Sequence, residues 1–364
     1  MKKILLLVLG GSLVAAVSML WRLDERLRLA KLPLASANAV PFAVLGDSDS
    51  HAYHDDLSFS RWPQARGGGL RDRSWQWTEV LAHLRAAQLD PGPLGVWGTR
   101  YRRLSLARDA LGEDGRFPAK QDYRHNLAYS GAVCANLNDF PQNQTARLLA
   151  LVREAPERWQ RGVVLVRIGT NDVGGVDSLE ALSRDPADPE TVARIDGCVQ
   201  HIARAVGRLR ASLPGLRVVL VGIFNNADWE KFHNRWQSPQ AQANIYAGLA
   251  RFNEGLKAIV RGDANMAFFD DQAWFTRLWG TRMTTGLPAY RKVRFGPHFE
   301  VSNTGGDAPE HATLGDGHAG SVWNALWAQS LVNLLNQRFG LNVPELQEDE
   351  LVRFIDPDGR FGMR

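Results

Sequence analysis

The sequence predicts a three-layer α/β/α sandwich built around a parallel β-sheet. Short apolar runs rich in Val, Ile and Phe alternate with longer segments whose apolar residues recur at helical spacing, as in β-α units. At 364 residues and without internal repeats, the chain fits one large domain with long insertions. Five strands are expected, at residues 41–45, 125–129, 163–168, 218–224 and 266–269.

Helices are expected between these strands and after the last one. Apolar residues at i, i+3 and i+4 predict helices over 74–87, 145–157, 189–213, 239–261 and 321–339. Segments 49–73 and 90–122 are rich in Gly, Pro, Arg and Trp, which predicts long loops that shape a site. Within the irregular region 281–315, residues 292–295 and 298–301 predict a hairpin about Gly296-Pro297.

The N-terminal segment has the layout of an export signal. Lys2 and Lys3 precede an apolar run over 4–20, which is long for a signal peptide and marginal for a membrane span. Two pairs of small residues offer cleavage sites, Ala16 with Ser18 and Ala37 with Ala39. A retained anchor, stopped by the charged residues 22–31, is the alternative. Both place the protein in the periplasm, outside the cell or on the membrane.

Charge argues against a general affinity for nucleic acid. The formal charge of +4 is contributed by residues 1–31, since the rest of the chain holds 37 basic and 37 acidic residues. Phosphate binding needs a basic surface, so only local patches remain open. The expected division is a leader with linker over 1–39, a catalytic domain over 40–340 and a C-terminal tail over 341–364.

Two cysteines, Cys134 and Cys198, are present. In an oxidising compartment they either form a disulfide or remain as two buried thiols, and the sequence leaves both open.

Residues suited to acyl transfer follow the predicted strands. Ser48 comes after the first strand, Gly131 after the second and Asn171 after the third, while His318 precedes the last helix. Ligands of open parallel sheets gather at the carboxyl ends of the strands. A hydroxyl, backbone and amide donors and an imidazole are the groups that acyl transfer requires. Competing signatures such as GxSxG, HExxH or a P-loop are missing from the sequence.

In this order the segments resemble the four blocks of the SGNH (GDSL-like) hydrolase superfamily. The segments are Gly46-Asp47-Ser48, Ser130-Gly131-Ala132, Gly169-Thr170-Asn171-Asp172 and Gly315-Asp316-Gly317-His318. The resemblance implies a flavodoxin-like five-stranded sheet and an esterase that needs no cofactor. It implies Ser48 as nucleophile, His318 as general base, and an oxyanion hole made by the Ser48 backbone, Gly131 and Asn171.

The acid of the triad departs from the family pattern. The family places its Asp three residues before the His, where this chain has Gly315, and Asp316 stands only two residues before His318. We assign Asp316, because glycines on both sides permit an unusual turn. Asp307, Glu310 or a backbone carbonyl are the alternatives. Asp47 and Asp172 are expected to make turn and strand-end hydrogen bonds.

Three other functions remain open. The first is a metal-dependent phosphoesterase, in which Asn171, Asp172, Asp316 and His318 join a run of potential ligands. That run is Asp47, Asp49, His51, His54, Asp55 and Asp56. The second is an acyltransferase that uses the same acyl-enzyme. The third is a catalytically dead carbohydrate-binding scaffold. Trp62 and Trp97, in predicted loops, are candidates for contact with a glycan, lipid or small-molecule ester.

Overall fold

A five-stranded parallel sheet forms the centre of the protein in a computed structural model, which describes residue 36 and residues 38–59, 66–283 and 285–363. The strands, in chain order, are β1 (Val40–Gly46), β2 (Leu89–Asp90), β3 (Leu94–Trp97), β4 (Lys120–Tyr123), β5 (Val163–Arg167), β6 (Arg217–Val221), β7 (Met266–Phe269), β8 (Gly280–Arg282), β9 (Pro288–Tyr290), β10 (Val293–Phe295), β11 (Phe299–Gly305) and β12 (His311–Thr313). The leader over 1–35, the possible cleavage sites at Ala16 and Ala37, and Trp62 lie outside the described residues.

The central sheet has the strand order β2-β1-β5-β6-β7, with all neighbours parallel. Numbered within the sheet, this is 2-1-3-4-5, the flavodoxin-like order. Every residue of β5 is buried, as expected for a central strand covered on both faces. The predicted fold class is therefore confirmed.

Helices cover the sheet in two groups. They are α1 (Trp77–Arg85), α2 (Arg102–Ala110), α3 (Gln144–Val152), α4 (Pro156–Trp159), α5 (Thr170–Val173), α6 (Val176–Arg184), α7 (Pro189–Ser212), α8 (Pro239–Val260), α9 (Asp271–Trp279), α10 (Ser321–Phe339) and α11 (Glu348–Ile355). Helix α1 packs on α10, whereas α3, α6, α7 and α8 pack on one another. The predicted helix over 145–157 is wrong in its length, because Pro156 starts a new helix, α4, at a position that suits its fixed φ.

The predicted second strand, 125–129, is wrong as a strand. The edge strand is β2, which pairs with Val40 and Pro41, and the chain then leaves the sheet. It returns alongside β1, where Leu127 N–H donates to Val44 O at 2.8 Å. Only an isolated bridge forms, because the N–H of Gly46, which a longer ladder would use, donates instead to the Gln144 side chain at 2.8 Å. The insertion thus divides one sheet edge into two short pieces.

The structure of residues 90–122, the insertion after β2, differs from the prediction. Residues 90–122 were predicted as loop, but strands β3 and β4 pair as an antiparallel hairpin around α2. Trp97 therefore lies on a strand. The predicted hairpin about Gly296-Pro297 is present as β10 and β11.

The tail after residue 341 packs on the main core. Val343, Leu346 and, in α11, Leu351 and Ile355 are buried within the same apolar cluster as the sheet. Among the described residues, no helix is both long and apolar enough to cross a membrane.

A disulfide joins Cys134 to Cys198 and settles the question that the sequence left open. Cys134 begins a short 3₁₀ helix, Cys134–Leu137, and Cys198 lies in α7. The bond therefore fastens the segment that follows Gly131 to a long helix of the second group.

Candidate active site

Ser48 lies in a tight turn at the carboxyl end of β1. The Asp47 carboxylate accepts a hydrogen bond from the backbone N–H of Asp49 at 2.9 Å, which closes the turn around the serine. Gly46, the last residue of β1, exchanges two hydrogen bonds of 2.8 Å with the side chain of Gln144. A Cβ atom at Gly46 would lie 2.4 Å from the carbonyl oxygen of Arg167, so glycine is required where β1 and β5 approach.

Gly131 and Asn171 belong to the same hydrogen-bonded network as this turn. The Thr170 hydroxyl donates to Asp49 at 3.2 Å, which joins the start of α5 to the residue after Ser48. The next residue, Asn171, donates from Nδ2 to the Ala132 carbonyl at 2.9 Å, and so reaches the residue after Gly131. The structure thus brings three of the predicted blocks together at one edge of the sheet.

Three N–H donors in this network have hydrogens without an acceptor among the described residues. The backbone N–H groups of Ser48 and Gly131 donate to no acceptor among the described residues, and Asn171 uses Nδ2 for a single bond. Gly131 is exposed, has φ +81° and has no atom within 4 Å of where a Cβ would stand. Gly131 therefore keeps a backbone N–H next to open space, without an acceptor in the part of the chain that the structure describes.

Asp172 stabilises the segment that follows Gly131. Its carboxylate accepts from the backbone N–H of Cys134 at 3.0 Å. Burial raises the pKa of Asp172 to about 6, and the hydrogen bond from Cys134 only partly opposes this effect. A strand-end hydrogen bond of Asp172 is expected from the sequence, and the contact with Cys134 agrees with this expectation.

His318 lies in a second turn, just before α10. Gly317 has φ +81°, and the N–H of Leu314 donates to the carbonyl of His318 at 2.7 Å. The loop after Ser48 reaches this turn, since the Tyr53 hydroxyl donates to the Ala319 carbonyl at 2.8 Å. The loop after the first block is therefore hydrogen-bonded to the residue that follows the last block.

Asp316 is the carboxylate next to the imidazole of His318. Its Oδ1 lies 3.0 Å from Nδ1, but the ring N–H is not directed at it, so the two groups are in contact without a hydrogen bond. The same oxygen accepts from the His318 backbone N–H at 3.1 Å. Burial alone would raise the pKa of Asp316, but His318 and Arg66 together hold it well below its usual range.

The alternative acids are not in this position. Asp307 accepts from the Gly315 N–H at 3.0 Å and so supports the turn, and Glu310 is exposed.

Arg66 is a site residue that the sequence did not indicate. Its Nε donates to Asp316 at 2.9 Å and its Nη2 donates to Nε2 of His318 at 3.1 Å. The guanidinium packs over the rings of Tyr53 and Phe59, 5.0 and 4.4 Å from their centroids. Among the described residues, Ser48 makes no hydrogen bond to His318, whose Nε2 lone pair is taken by Arg66. An arginine in a Gly-rich loop gives no sequence signal for such burial.

The His/Asp run after Ser48 is divided among separate pairs. His51 donates from Nε2 to Asp55 at 2.8 Å and accepts at Nδ1 from the Ser130 hydroxyl at 3.1 Å. His54 pairs instead with Glu79 at 2.7 Å. In the part of the chain that the structure describes, the one group of three potential ligands is Cys134, Asp172 and Cys198, whose thiols form the disulfide. Among the described residues, the acids and histidines that the phosphoesterase hypothesis needs therefore do not come together as the ligands of one metal site.

Trp97 makes its contacts within the inserted hairpin. Its Nε1 donates to the Asp122 carbonyl at 2.9 Å, and the guanidiniums of Arg116 and Arg124 lie 5.9 and 5.4 Å from its ring. Its role in substrate binding stays a prediction.

The sheet order agrees with the flavodoxin-like fold that the resemblance implies, and a hydrogen bond joins the loop after Ser48 to the residue after His318. No protein-family model and no curated protein matches the chain. Among solved structures it is similar to the extracellular lipase of Streptomyces rimosus, at 15% identity and a TM-score of 0.40 over 80% of this chain and 100% of the lipase. It is also similar to phospholipase A1 of Streptomyces albidoflavus, at 16% identity and a TM-score of 0.38 over 82% and 99%. At TM-scores below 0.5, neither likeness identifies the chemistry of this chain.

Proposed function

We propose that this protein is an exported serine esterase that forms an acyl-enzyme on Ser48. One observation carries the proposal. The turn of Ser48 is hydrogen-bonded to the segments that hold Gly131 and Asn171, and all three positions keep hydrogens without an acceptor among the described residues. A tetrahedral intermediate of ester hydrolysis needs such donors around its oxyanion.

In the proposed reaction, Ser48 Oγ attacks the ester carbonyl carbon while Nε2 of His318 takes the hydroxyl proton. The oxyanion is stabilised by the N–H groups of Ser48 and Gly131 and by Asn171 Nδ2, each worth on the order of 10²–10³ in kcat. The imidazolium then returns the proton to the leaving alcohol. Water attacks the acyl-enzyme in the same way and releases the acid.

Asp316 and Arg66 define the resting state of the proposed base. The carboxylate beside Nδ1 stabilises the imidazolium that forms during proton transfer. Nε2 must also lose its hydrogen bond from Arg66 before it accepts a proton from Ser48. Substrate entry therefore has to redirect the guanidinium toward other acceptors.

The decisive test is Ser48→Ala, assayed with para-nitrophenyl butyrate. We expect the variant to lose more than about 10³-fold in kcat and to keep the wild-type circular dichroism spectrum. Ser212→Ala, at the exposed end of α7, is the matched control and should retain full activity. Turnover by the Ser48 variant at the wild-type rate would refute the assignment.

Covalent labelling separates this proposal from a dead carbohydrate-binding scaffold. A fluorophosphonate probe should add one adduct to the wild-type chain, mapped by peptide mass to Ser48, and none to Ser48→Ala. A scaffold without an activated serine would not react.

Export is proposed from Lys2, Lys3 and the apolar run that follows. Expression of the whole chain followed by fractionation and N-terminal sequencing tests it. A mature N-terminus near residue 19 or 40 supports cleavage, an intact N-terminus in the membrane fraction supports an anchor, and an intact chain in the cytoplasm refutes export.

A further inference from the structure

A second cation, Lys231, lies at the turn that holds His318. It is in the short 3₁₀ helix Glu230–Phe232, in the segment that follows β6. Its Nζ would be 3.9 Å from a Cβ placed on Gly317, the residue between Asp316 and His318. Lys231 thus lies at the turn between Asp316 and His318, although no site motif includes it.

The surroundings of Lys231 leave its charge available. The ammonium lies 4.1 Å from the centroid of the Trp229 ring, which fixes its direction without neutralising it. The side chain is exposed, and no carboxylate among the described residues lies within ion-pair distance. Burial lowers the pKa of Lys231, and the negative charges of Asp49 and Asp316 oppose that effect. The ammonium is therefore influenced both by the residue next to Ser48 and by the residue beside His318.

Arg66 is the other cation at this position. Only 6% of the surface of Arg66 is exposed. Its Nη1 is buried and has no hydrogen-bond partner among the described residues. Its remaining donors are used by Asp316 and by Nε2 of His318. A neutral imidazole nitrogen is a weaker acceptor for a guanidinium than a carboxylate or phosphate oxygen. An anionic group near the ester would bind Arg66 more strongly than His318 does.

We propose that the natural substrate of this site is an ester with a negatively charged group, a carboxylate or phosphate, close to the scissile bond, and that Lys231 and Arg66 bind this group. The inference rests on the proposed esterase function. Binding of the anion draws Nη2 of Arg66 away from His318, which leaves Nε2 free to accept the proton of Ser48. Substrate charge thereby contributes both to affinity and to activation of the base.

Two matched pairs of esters test the proposal. Para-nitrophenyl butyrate and para-nitrophenyl hemiglutarate differ by a carboxylate on the acyl side. Methyl 4-acetoxybenzoate and 4-acetoxybenzoate differ by a carboxylate on the leaving group. We expect the wild-type enzyme to prefer the anionic member of at least one pair, by on the order of fivefold in kcat/KM at low salt. The preference should fall in about 0.5 M NaCl, because salt screens partly exposed charges.

Variants identify the residues responsible. In Lys231→Gln and in Arg66→Gln, the ratio of kcat/KM for the anionic ester to that for the neutral ester should fall toward one. Lys292→Gln is the control, since Lys292 is an exposed lysine that pairs with Glu300 at 2.9 Å, and it should keep the wild-type ratio.

Each result has a definite meaning. Equal kcat/KM within both pairs, or the same ratio in Lys231→Gln and Lys292→Gln, overturns the inference and leaves the esterase intact. Failure of the esterase proposal is distinguishable, because then no ester of either pair is hydrolysed in a manner that depends on Ser48.

Discussion

Replacing Asp172 by Asn should make the protein more stable at neutral pH and leave it nearly unchanged in acid. The carboxyl is partly buried beside the disulfide, and burial raises its pKa from 3.8 to about 6. Below pH 3.8 the group is protonated in both the folded and the unfolded chain, so the folded state has no penalty. As the pH rises toward 6, only the unfolded chain loses the proton, and the free energy of unfolding falls.

The size of the effect follows from the two pKa values. Each pH unit between them corresponds to about 1.4 kcal/mol, so above pH 6 the ionised carboxylate destabilises the folded chain by about 3 kcal/mol. Asparagine does not ionise, and its Oδ1 can still accept from the backbone N–H of Cys134, now 3.0 Å from the carboxylate. Most of the 3 kcal/mol should therefore be regained in Asp172→Asn.

Urea unfolding followed by tryptophan fluorescence measures the effect, with the disulfide intact. At about pH 7.5 the variant should unfold with a free energy about 2–3 kcal/mol above that of the wild-type chain, and at about pH 4 the two should agree. Asp177→Asn, an exposed carboxyl in the first turn of α6, is the control and should differ from wild type by the same small amount at both pH values. A difference between Asp172→Asn and wild type that is independent of pH would refute the reasoning.

Two further predictions concern the framework of the site. Cys198→Ser opens the disulfide loop to Cys134, which spans 64 residues, and should lower the free energy of unfolding by about 4 kcal/mol in urea titrations; no loss relative to the oxidised wild-type chain would contradict this. Gly46→Ala places a Cβ 2.4 Å from the Arg167 carbonyl and should lower both stability, by roughly 1–3 kcal/mol, and ester turnover. Gly197→Ala in α7, where a Cβ meets no atom within 4 Å, is its control and should keep wild-type activity.

The parts of the fold that the sequence predicts are those set by periodic burial. Strand β5 and helix α7 each have a continuous apolar pattern, and the predicted bounds differ from the observed ones by a single residue. The edge of the sheet was not predictable in this way. At 125–129 the residues have the composition of a strand, but the N–H of Gly46 in β1 donates to the Gln144 side chain instead of to this segment. Pairing between distant segments is decided by such contacts, which leave no periodic signal.

Some residues of the candidate site were predictable from the sequence, and Arg66 was not. Ser48 and Asn171 come shortly after β1 and β5, and His318 precedes α10, so their positions come from the order of elements. Gly131 follows the segment that forms only an isolated bridge with β1. Arg66 could not be found like this, because its place depends on the rings of Tyr53 and Phe59 and on a carboxylate 250 residues further along the chain.

The run of histidines and acids after Ser48 has a use other than metal binding. Ser130, His51 and Asp55 form a hydrogen-bonded chain with the composition of a catalytic triad, but its geometry favours a structural role. Burial lowers the pKa of His51, and the nearby charge of Lys120 lowers it further, so that Asp55 does not restore a charged imidazole. The neutral ring donates from Nε2 to Asp55 and accepts at Nδ1 from both the hydroxyl and the backbone N–H of Ser130, at 3.1 and 3.3 Å. A ring that holds both groups of Ser130 fixes the residue before Gly131. The donor that faces the substrate in the proposed reaction is thus positioned by an imidazole that remains uncharged.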